Sequence, residues 1–242
     1  MRIAGPQVRT TSHIQSAKRT LPLRSSDEYS SLGSFTIPLQ VDVGNPAVWD
    51  YPLYMWMERL ERSLEEQPGT TLPGLAHFSY AAVAVLIRPD GDILFIRRAA
   101  HPSDPWSGHM AFPGGRIDPE DNGPESAARR EVMEEIGVDL AGSSVLGVLD
   151  QVASPDLAPR VCVTPFVFLL SEEPVFSIAK REVASVHWYT LDVLSEERDS
   201  FSYEHQGVSY RLPCIDQDDR RIWGMTLRIV DDLLERIKLE AV

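Results

Sequence analysis

Cysteine is scarce in this chain of 242 residues, which has only Cys162 and Cys214. Two cysteines cannot build a disulfide scaffold, and neither has a second Cys or a His at zinc-ligand spacing, so a finger-type zinc site is excluded. That usage fits a reducing, cytoplasmic setting. Positive charge is also in short supply. With 23 Lys and Arg against 36 Asp and Glu, the formal net charge is −13, which repels a phosphate backbone unless the cations gather on one face. Duplex nucleic acid is therefore not an expected partner. No apolar run approaches the roughly 18 residues of a membrane helix, and a soluble chain without a membrane partner is expected.

The 43% hydrophobic content is ample for one domain with extensions. Residues 1–49 read as a flexible N-terminal extension, and 50–242 as the folded domain with a preceding helix and a C-terminal helix. Met1 to Ser26 holds Arg2, Arg9, Lys18, Arg19 and Arg24 and no acid, a composition shared by organelle transit peptides. Pro6 and Pro22 interrupt any long amphipathic helix there, so a disordered tail is the preferred reading and organelle targeting the alternative. Ser34 to Val43 is strand-like and could dock on the domain.

From Trp49 to Glu66, Leu53, Trp56, Leu60 and Leu64 recur at three- and four-residue spacings, the pattern of a packing helix. Tyr80 to Ile87 and Ile93 to Arg97 flank a Pro-Asp-Gly turn and read as a hairpin. Pro124 at a first helical position and Gly137 just past Ile136 bracket a second helix. Strands are expected at Ser144 to Val152, Arg160 to Leu170 and Ala184 to Leu191, with another hairpin across Ser202 to Leu212. Arg221 to Lys238 closes the chain as an amphipathic helix carrying Ile222, Met225, Ile229, Leu233 and Ile237. The class is α+β, an α-β-α sandwich of mixed β-sheet with packed helices.

The second helix carries a cost. At about 100° per residue, Glu131, Glu134 and Glu135 share one arc, while Val132, Met133 and Ile136 point largely the other way. Like charges at these spacings repel by a few tenths of a kcal/mol per pair. Alone, such a run reads as a solvated acidic face. Pro113-Gly114-Gly115 just upstream changes the reading, because glycine lets backbone carbonyls approach a ligand closely. Carboxylate and carbonyl oxygens suit Mg²⁺, which keeps several waters and commonly binds phosphates. A diphosphate site would explain why the repulsion is kept.

Arg130-Glu131-Val132-Met133-Glu134-Glu135-Ile136-Gly137-Val138 resembles the second half of the Nudix hydrolase signature, G-x5-E-x7-R-E-U-x-E-E-x-G-U with U aliphatic. In the first half, Asp121 stands six residues after Gly115 where the signature has Glu, and Arg130 lies one residue further on. Those departures, with Phe112-Pro-Gly-Gly115, resemble the coenzyme A diphosphatase branch. Leu94, Arg98-Ala99, Gly108 and Phe112 follow the order of that branch's upstream motif, although Ser103 or Asp104 stands where a second arginine would be. Ile222-Trp223-Gly224-Met225-Thr226 is similar to its late I-W-G-x-T segment.

The resemblance implies a Nudix fold and a Mg²⁺- or Mn²⁺-dependent hydrolysis of a small-molecule nucleotide diphosphate. It implies Glu131 and Glu135 as metal ligands, Glu134 as a further ligand or catalytic carboxylate, Gly115 through its carbonyl, and Arg130 as the group that orients the carboxylates. The base is then a glutamate of the helix or of a later loop, where Glu182 leads and Glu172 and Glu173 compete. Arg97, Arg98 and Arg116 are cations near the motif that could hold phosphate or pair with surface acids. Trp106, His109, Phe112 and Gly114 are candidate substrate contacts, Trp106 and Gly114 also having purely packing or turn readings; no second His stands at ligand spacing to His109.

The substrate implied is coenzyme A or acyl-coenzyme A, cut to 3′,5′-ADP and (acyl-)4′-phosphopantetheine. ADP-ribose, a nucleotide sugar or a dinucleoside polyphosphate are alternatives, as is a Nudix-fold nucleotide-binding module without turnover. Assembly stays open between a monomer and a homodimer. If Met1 to Ser26 is a tail, its deletion is expected to leave melting temperature and turnover unchanged; a large loss of soluble protein would show instead that it packs on something.

Overall fold

The computed structural model describes residues 51–73, 77–88, 90–101, 106–154, 160–196, 198–205, 207–217 and 219–237. The expectations for residues 1–49, for Ser103 and Asp104, and for Lys238 lie outside them.

Among the described residues helix α1 (Tyr51–Glu66) comes first, then β1 (Ser79–Ile87), β2 (Ile93–Arg98), β3 (Met110–Ala111) and β4 (Gly114–Arg116). Helix α2 (Pro124–Ile136) precedes β5 (Ser144–Val148), β6 (Val152–Ala153), β7 (Val161–Leu169) and β8 (Val183–Tyr189). The described residues end with the short α3 (Leu191–Ser195), β9 (Asp199–His205), β10 (Val208–Gln217), β11 (Arg220–Trp223) and α4 (Gly224–Ile237). Strands β1 to β8 form one mixed sheet in which β1 runs parallel to β7 and antiparallel to β2 and β4. Strands β9, β10 and β11 form a separate antiparallel sheet.

Strand alternation divides the core in two. Ala82, Ala84 and Leu86 of β1, with Leu94 and Ile96 of β2, meet Ala127, Ala128, Val132 and Ile136 of α2. Ala81, Val85 and Ile87, with Ile93 and Phe95, meet Trp56, Leu60 and Leu64 of α1 and Leu227, Val230 and Leu233 of α4. Both faces of the sheet are covered, which is why β1 and β7 read as unbroken apolar runs. The α-β-α sandwich follows.

Several boundaries differ from the sequence reading. The strand expected over Ser144 to Val152 breaks into β5 and β6, and the one expected to reach Leu191 stops at Tyr189, where Thr190 caps α3 by accepting from Val193 N. Ile222 is not on the last helix. It pairs with Ile215 in β11, and the helix begins at Gly224, whose φ of 62° ends the strand. Met133 is 45% exposed, whereas Glu135 is 4% exposed. The arc of α2 centred on Ala128, Val132 and Glu135 is the one that docks, so Met133, about 200° from Glu135, looks outward. Cys162 and Cys214 are free and buried. Among the described residues no helix is long and apolar enough to cross a membrane.

Candidate active site

Strand β4 lies antiparallel on β1, with Gly114 opposite Val83 and Gly115 opposite Ala82. Helix α2 crosses directly beside it. A Cβ on Gly115 would stand 2.3 Å from Glu131 Oε1, so the carboxylate rests on bare backbone. Gly114 meets the sheet instead: its φ is 148°, and a Cβ there would stand 2.3 Å from the Ala82 carbonyl oxygen. The Gly114 N–H donates to Glu135 Oε2 at 2.9 Å. Two adjacent glycines thus do different things, one fitting the strand to its neighbour and the other making room for a glutamate.

Arg130 is the hub of the acidic side. Its Nε and Nη2 donate to the two oxygens of Asp121 at 3.1 and 3.0 Å, and Nη1 donates to Glu131 Oε1 at 2.9 Å and Glu134 Oε2 at 3.2 Å. Nη2 also reaches the Arg116 carbonyl at 3.0 Å. Asp121, at the position where the signature has Glu, is therefore a structural partner of Arg130, and its own oxygen Oδ2 accepts from the Asp118 N–H at 2.8 Å. Those hydrogen bonds, Arg130 first, hold the Asp121 carboxyl below its ordinary range.

Electrostatics set Glu135 apart. Burial pushes its carboxyl up to about 8, opposed by the Gly114 N–H and reinforced by the charges of Glu131 and Glu182. Burial also raises Glu131, which Arg130 partly offsets and Glu134 and Glu182 reinforce. Two half-desolvated carboxyls against a glycine backbone form a hard-oxygen donor set with a shortage of positive charge, which fits a divalent cation. Among the described residues no three His, Cys, Asp or Glu side chains already stand together as a metal-holding group. Glu135 accepts from the Gly114 N–H and Glu134 from Arg130.

Glu131, Glu135, Gly114 and Gly115 open on a cavity of about 1240 Å³. Arg98, Trp106, His109, Phe112, Arg116 and Glu182 also line it. Most of the sequence-derived site thus converges on one space. Glu182 is carried there by the turn before β8, where it pairs with Arg181 at 3.0 Å. Of its rivals, Glu173 pairs with Arg88 at 3.2 Å, and neither it nor Glu172 borders the cavity.

Three further residues stand off the cavity. Arg97 does not border the cavity: it precedes Arg98 on β2, alternation turns it to the opposite side, and it pairs with Asp219 at 3.1 Å. Glu134 is 55% exposed at the rim, off the cavity wall, because it lies about 100° round the helix from Glu135. Arg130 does not border the cavity either; its place is beside the carboxylates of Glu131 and Glu134, to which it donates.

Sequence reasoning missed a further wall of the cavity. Tyr203, Tyr210 and Leu212 of β9 and β10, Trp223 of β11 and Arg228 of α4 all border the cavity. The Trp223 ring lies 5.0 Å from His109 and 5.1 Å from Tyr203, edge-on and tilted respectively. Arg228 is tied by Nη1 to the Ala153 carbonyl at 3.0 Å. The signal available was the alternation of Phe201, Tyr203, Tyr210 and Leu212 with Ser and charged residues.

The family model for the NUDIX domain matches residues 77–209. The uncharacterized Nudix hydrolase NudL of Yersinia enterocolitica is 29% identical over 177 residues, covering 72% of this chain and 88% of that protein. Its namesake in Yersinia pestis is 31% identical over 159 residues, covering 65% of this chain and 78% of its own. Among solved structures, a MutT/nudix family protein from Enterococcus faecalis aligns with a TM-score of 0.47 at 22% identity, over 69% of this chain and 65% of that one. The NUDIX domain of Shewanella oneidensis NrtR, complexed with ADP ribose, aligns with a TM-score of 0.45 at 18% identity, over 74% of this chain and 99% of that one. A family model spanning more than half of the chain, with α2 and the glycine strand inside the matched residues, makes this protein a member of the Nudix hydrolase family, a diphosphatase that hydrolyses the pyrophosphate link of a nucleoside diphosphate derivative.

Proposed function

We propose that the enzyme hydrolyses coenzyme A or its acyl derivatives, yielding 3′,5′-ADP and (acyl-)4′-phosphopantetheine, with Mg²⁺ or Mn²⁺. The observation that carries this reading is the meeting of two distant segments. Phe112, Gly114 and Gly115 on one side and Trp223–Thr226 on the other, from segments that separately resemble the coenzyme A branch, border the same cavity, and Thr226 Oγ donates to the Met110 carbonyl at 3.3 Å.

Glu131, Glu135 and the Gly115 carbonyl would hold the cation, with Glu134 a peripheral partner. When bound, a divalent cation draws electron density from the diphosphate oxygens and eases loss of the leaving phosphate. The chain's own groups do the rest. Arg130 fixes Glu131 in place through the 2.9 Å hydrogen bond. Glu182 takes a proton from the water that attacks one phosphorus, and the P–O bond to the bridging oxygen breaks as the new one forms. Arg98 and Arg116 offer guanidinium forks to phosphate oxygens.

The test compares catalytic efficiency on coenzyme A, dephospho-coenzyme A and ADP-ribose with each metal. Coenzyme A is expected to be best. Because Arg97 is turned away, Arg98 is the cation proposed to read the 3′-phosphate, and Arg98→Ala should penalise coenzyme A more than dephospho-coenzyme A by about tenfold, the loss of one charge-assisted hydrogen bond. A clear preference for ADP-ribose would remove the coenzyme A assignment and leave the general diphosphatase.

A further inference from the structure

The three-stranded sheet has one polar face and one mainly aromatic face, the latter also carrying the Asp216–Arg221 pair, with Arg221 over the Phe201 ring at 4.4 Å. Register pairs Tyr203 with Tyr210 and Phe201 with Leu212, while Trp223 pairs with Cys214, so Phe201, Tyr203, Tyr210, Leu212 and Trp223 share a side. Ser200, Ser202, Glu204 and Arg211 alternate with them and take the other side. The rings form a connected group, Phe201 to Trp223 at 5.2 Å and Tyr203 to Trp223 at 5.1 Å.

The aromatic face is incompletely covered. Tyr210 is 45% exposed. Tyr203, Tyr210, Leu212 and Trp223 instead border the same cavity as Glu131 and Glu135. At about 3.3 Å per residue, β10 from Tyr210 to Cys214 extends about 13 Å, the reach of a medium-length hydrocarbon chain. The cavity, about 1240 Å³, is also larger than the roughly 300–1,000 Å³ usual for small-molecule sites, leaving room beyond a nucleoside diphosphate.

We infer that the aromatic face of β9, β10 and β11 is a subsite for an apolar arm of the substrate, so that the enzyme selects for a hydrocarbon chain attached beyond the scissile diphosphate. This rests on the diphosphatase reading, but not on coenzyme A being the preferred carrier. A hydrocarbon fits the wall better than a further charged group does, because Tyr203, Tyr210, Leu212 and Trp223 offer it apolar surface, while the charges that α4 adds to the cavity are already engaged, Arg228 with the Ala153 carbonyl at 3.0 Å and Asp231 with Arg198 at 2.6 Å. The phenol and indole edges keep the wall wettable when the arm is absent.

Two measurements test it on the full chain with Mg²⁺. The first is efficiency on coenzyme A, hexanoyl- and decanoyl-coenzyme A; the second is inhibition by methyl and n-octyl diphosphate, which carry no nucleoside, against the best substrate found. The decanoyl over unacylated ratio, and the octyl over methyl ratio, are each expected to be at least about tenfold, since each buried methylene is worth up to about fourfold. Tyr210→Ser and Leu212→Ser should cut both ratios to about twofold. Tyr210→Phe, which keeps the ring, should retain them. Equal potency of octyl and methyl diphosphate in the wild type would overturn the inference, as would ratios unmoved in the Ser variants. Weakened inhibition by AMP in Tyr210→Ser with the alkyl ratio intact would assign the wall to a nucleobase and equally overturn it. Poor hydrolysis of coenzyme A beside an intact octyl ratio would instead remove the proposed substrate and leave the subsite standing.

Discussion

Glu135→Gln is expected to make the metal-free protein more stable at pH 8 and at the same time reduce hydrolysis by about 10³-fold. Both effects come from burial. The Glu135 carboxyl is held protonated up to about pH 8 in the folded chain, whereas the unfolded chain ionises it near pH 4.5. The unfolded state therefore gains on the folded one as pH rises from 4.5 to 8. The stability tied to this group is fully present below 4.5 and is lost through 8, a change of a few kcal/mol at ~1.4 kcal/mol per pH unit. A glutamine keeps an oxygen for the Gly114 N–H and never ionises. In chelator, the wild-type melting temperature should fall from pH 5 to pH 8 relative to the variant, and Mg²⁺ or Mn²⁺ should restore the wild type alone. The rate loss reflects the several kcal/mol a catalytic cation contributes, at about 1.4 kcal/mol per tenfold. Matching melting curves of the two proteins at pH 8, or near-normal turnover of the variant, would take Glu135 out of the site.

The second large effect separates two neighbouring glycines. Gly115→Ala should keep the fold and lose at least about 100-fold in rate, because the new methyl falls 2.3 to 2.7 Å from the Glu131 carboxylate, the movable end of a side chain. The carboxylate swings aside while the backbone stays, and a misplacement of about 1 Å in a catalytic group is enough for such a loss. Gly114→Ala meets immovable atoms, the Ala82 carbonyl oxygen at 2.3 Å and Val83 Cα at 2.5 Å, with φ at 148°. Backbone strain and overpacking together should cost about 3 kcal/mol or more. Melting temperature and kcat measured on both variants check this; a Gly115→Ala enzyme with wild-type kcat would mean that Glu131 does no work where it stands.

Local chemistry was the legible part of the sequence. Pro124 and Gly137 gave the ends of α2, and Gly137 indeed closes it with φ 71° and an N–H bond to the Met133 carbonyl. The hairpin of β1 and β2 and the doubly covered strands were equally readable, since turn residues and apolar runs act over a few positions. Depth was not readable. A glutamate marks a helix face as polar, yet Glu135 lies on the buried arc because the space beside it is a cavity rather than solvent. Arg97 and Arg98 are chemically alike, and only the sheet decides which one borders the site. The wall from Tyr203 to Trp223 escaped because its role arises from a second sheet approaching the first, which no spacing along the chain records.

Because β1 pairs with β7 in parallel over nine positions, from Ser79 with Val161 to Ile87 with Leu169, the order in which the chain can fold is constrained. A parallel pair cannot close through a tight turn and must wait for everything between its strands. Phe166 and Phe168 of β7 belong to the core beneath α2. During synthesis the acidic helix is therefore made well before its floor is complete, and its carboxylates stay hydrated and mutually repelling until β7 arrives. A chain of this topology gains its cooperative stability late, and it folds more slowly than its local helices alone would allow.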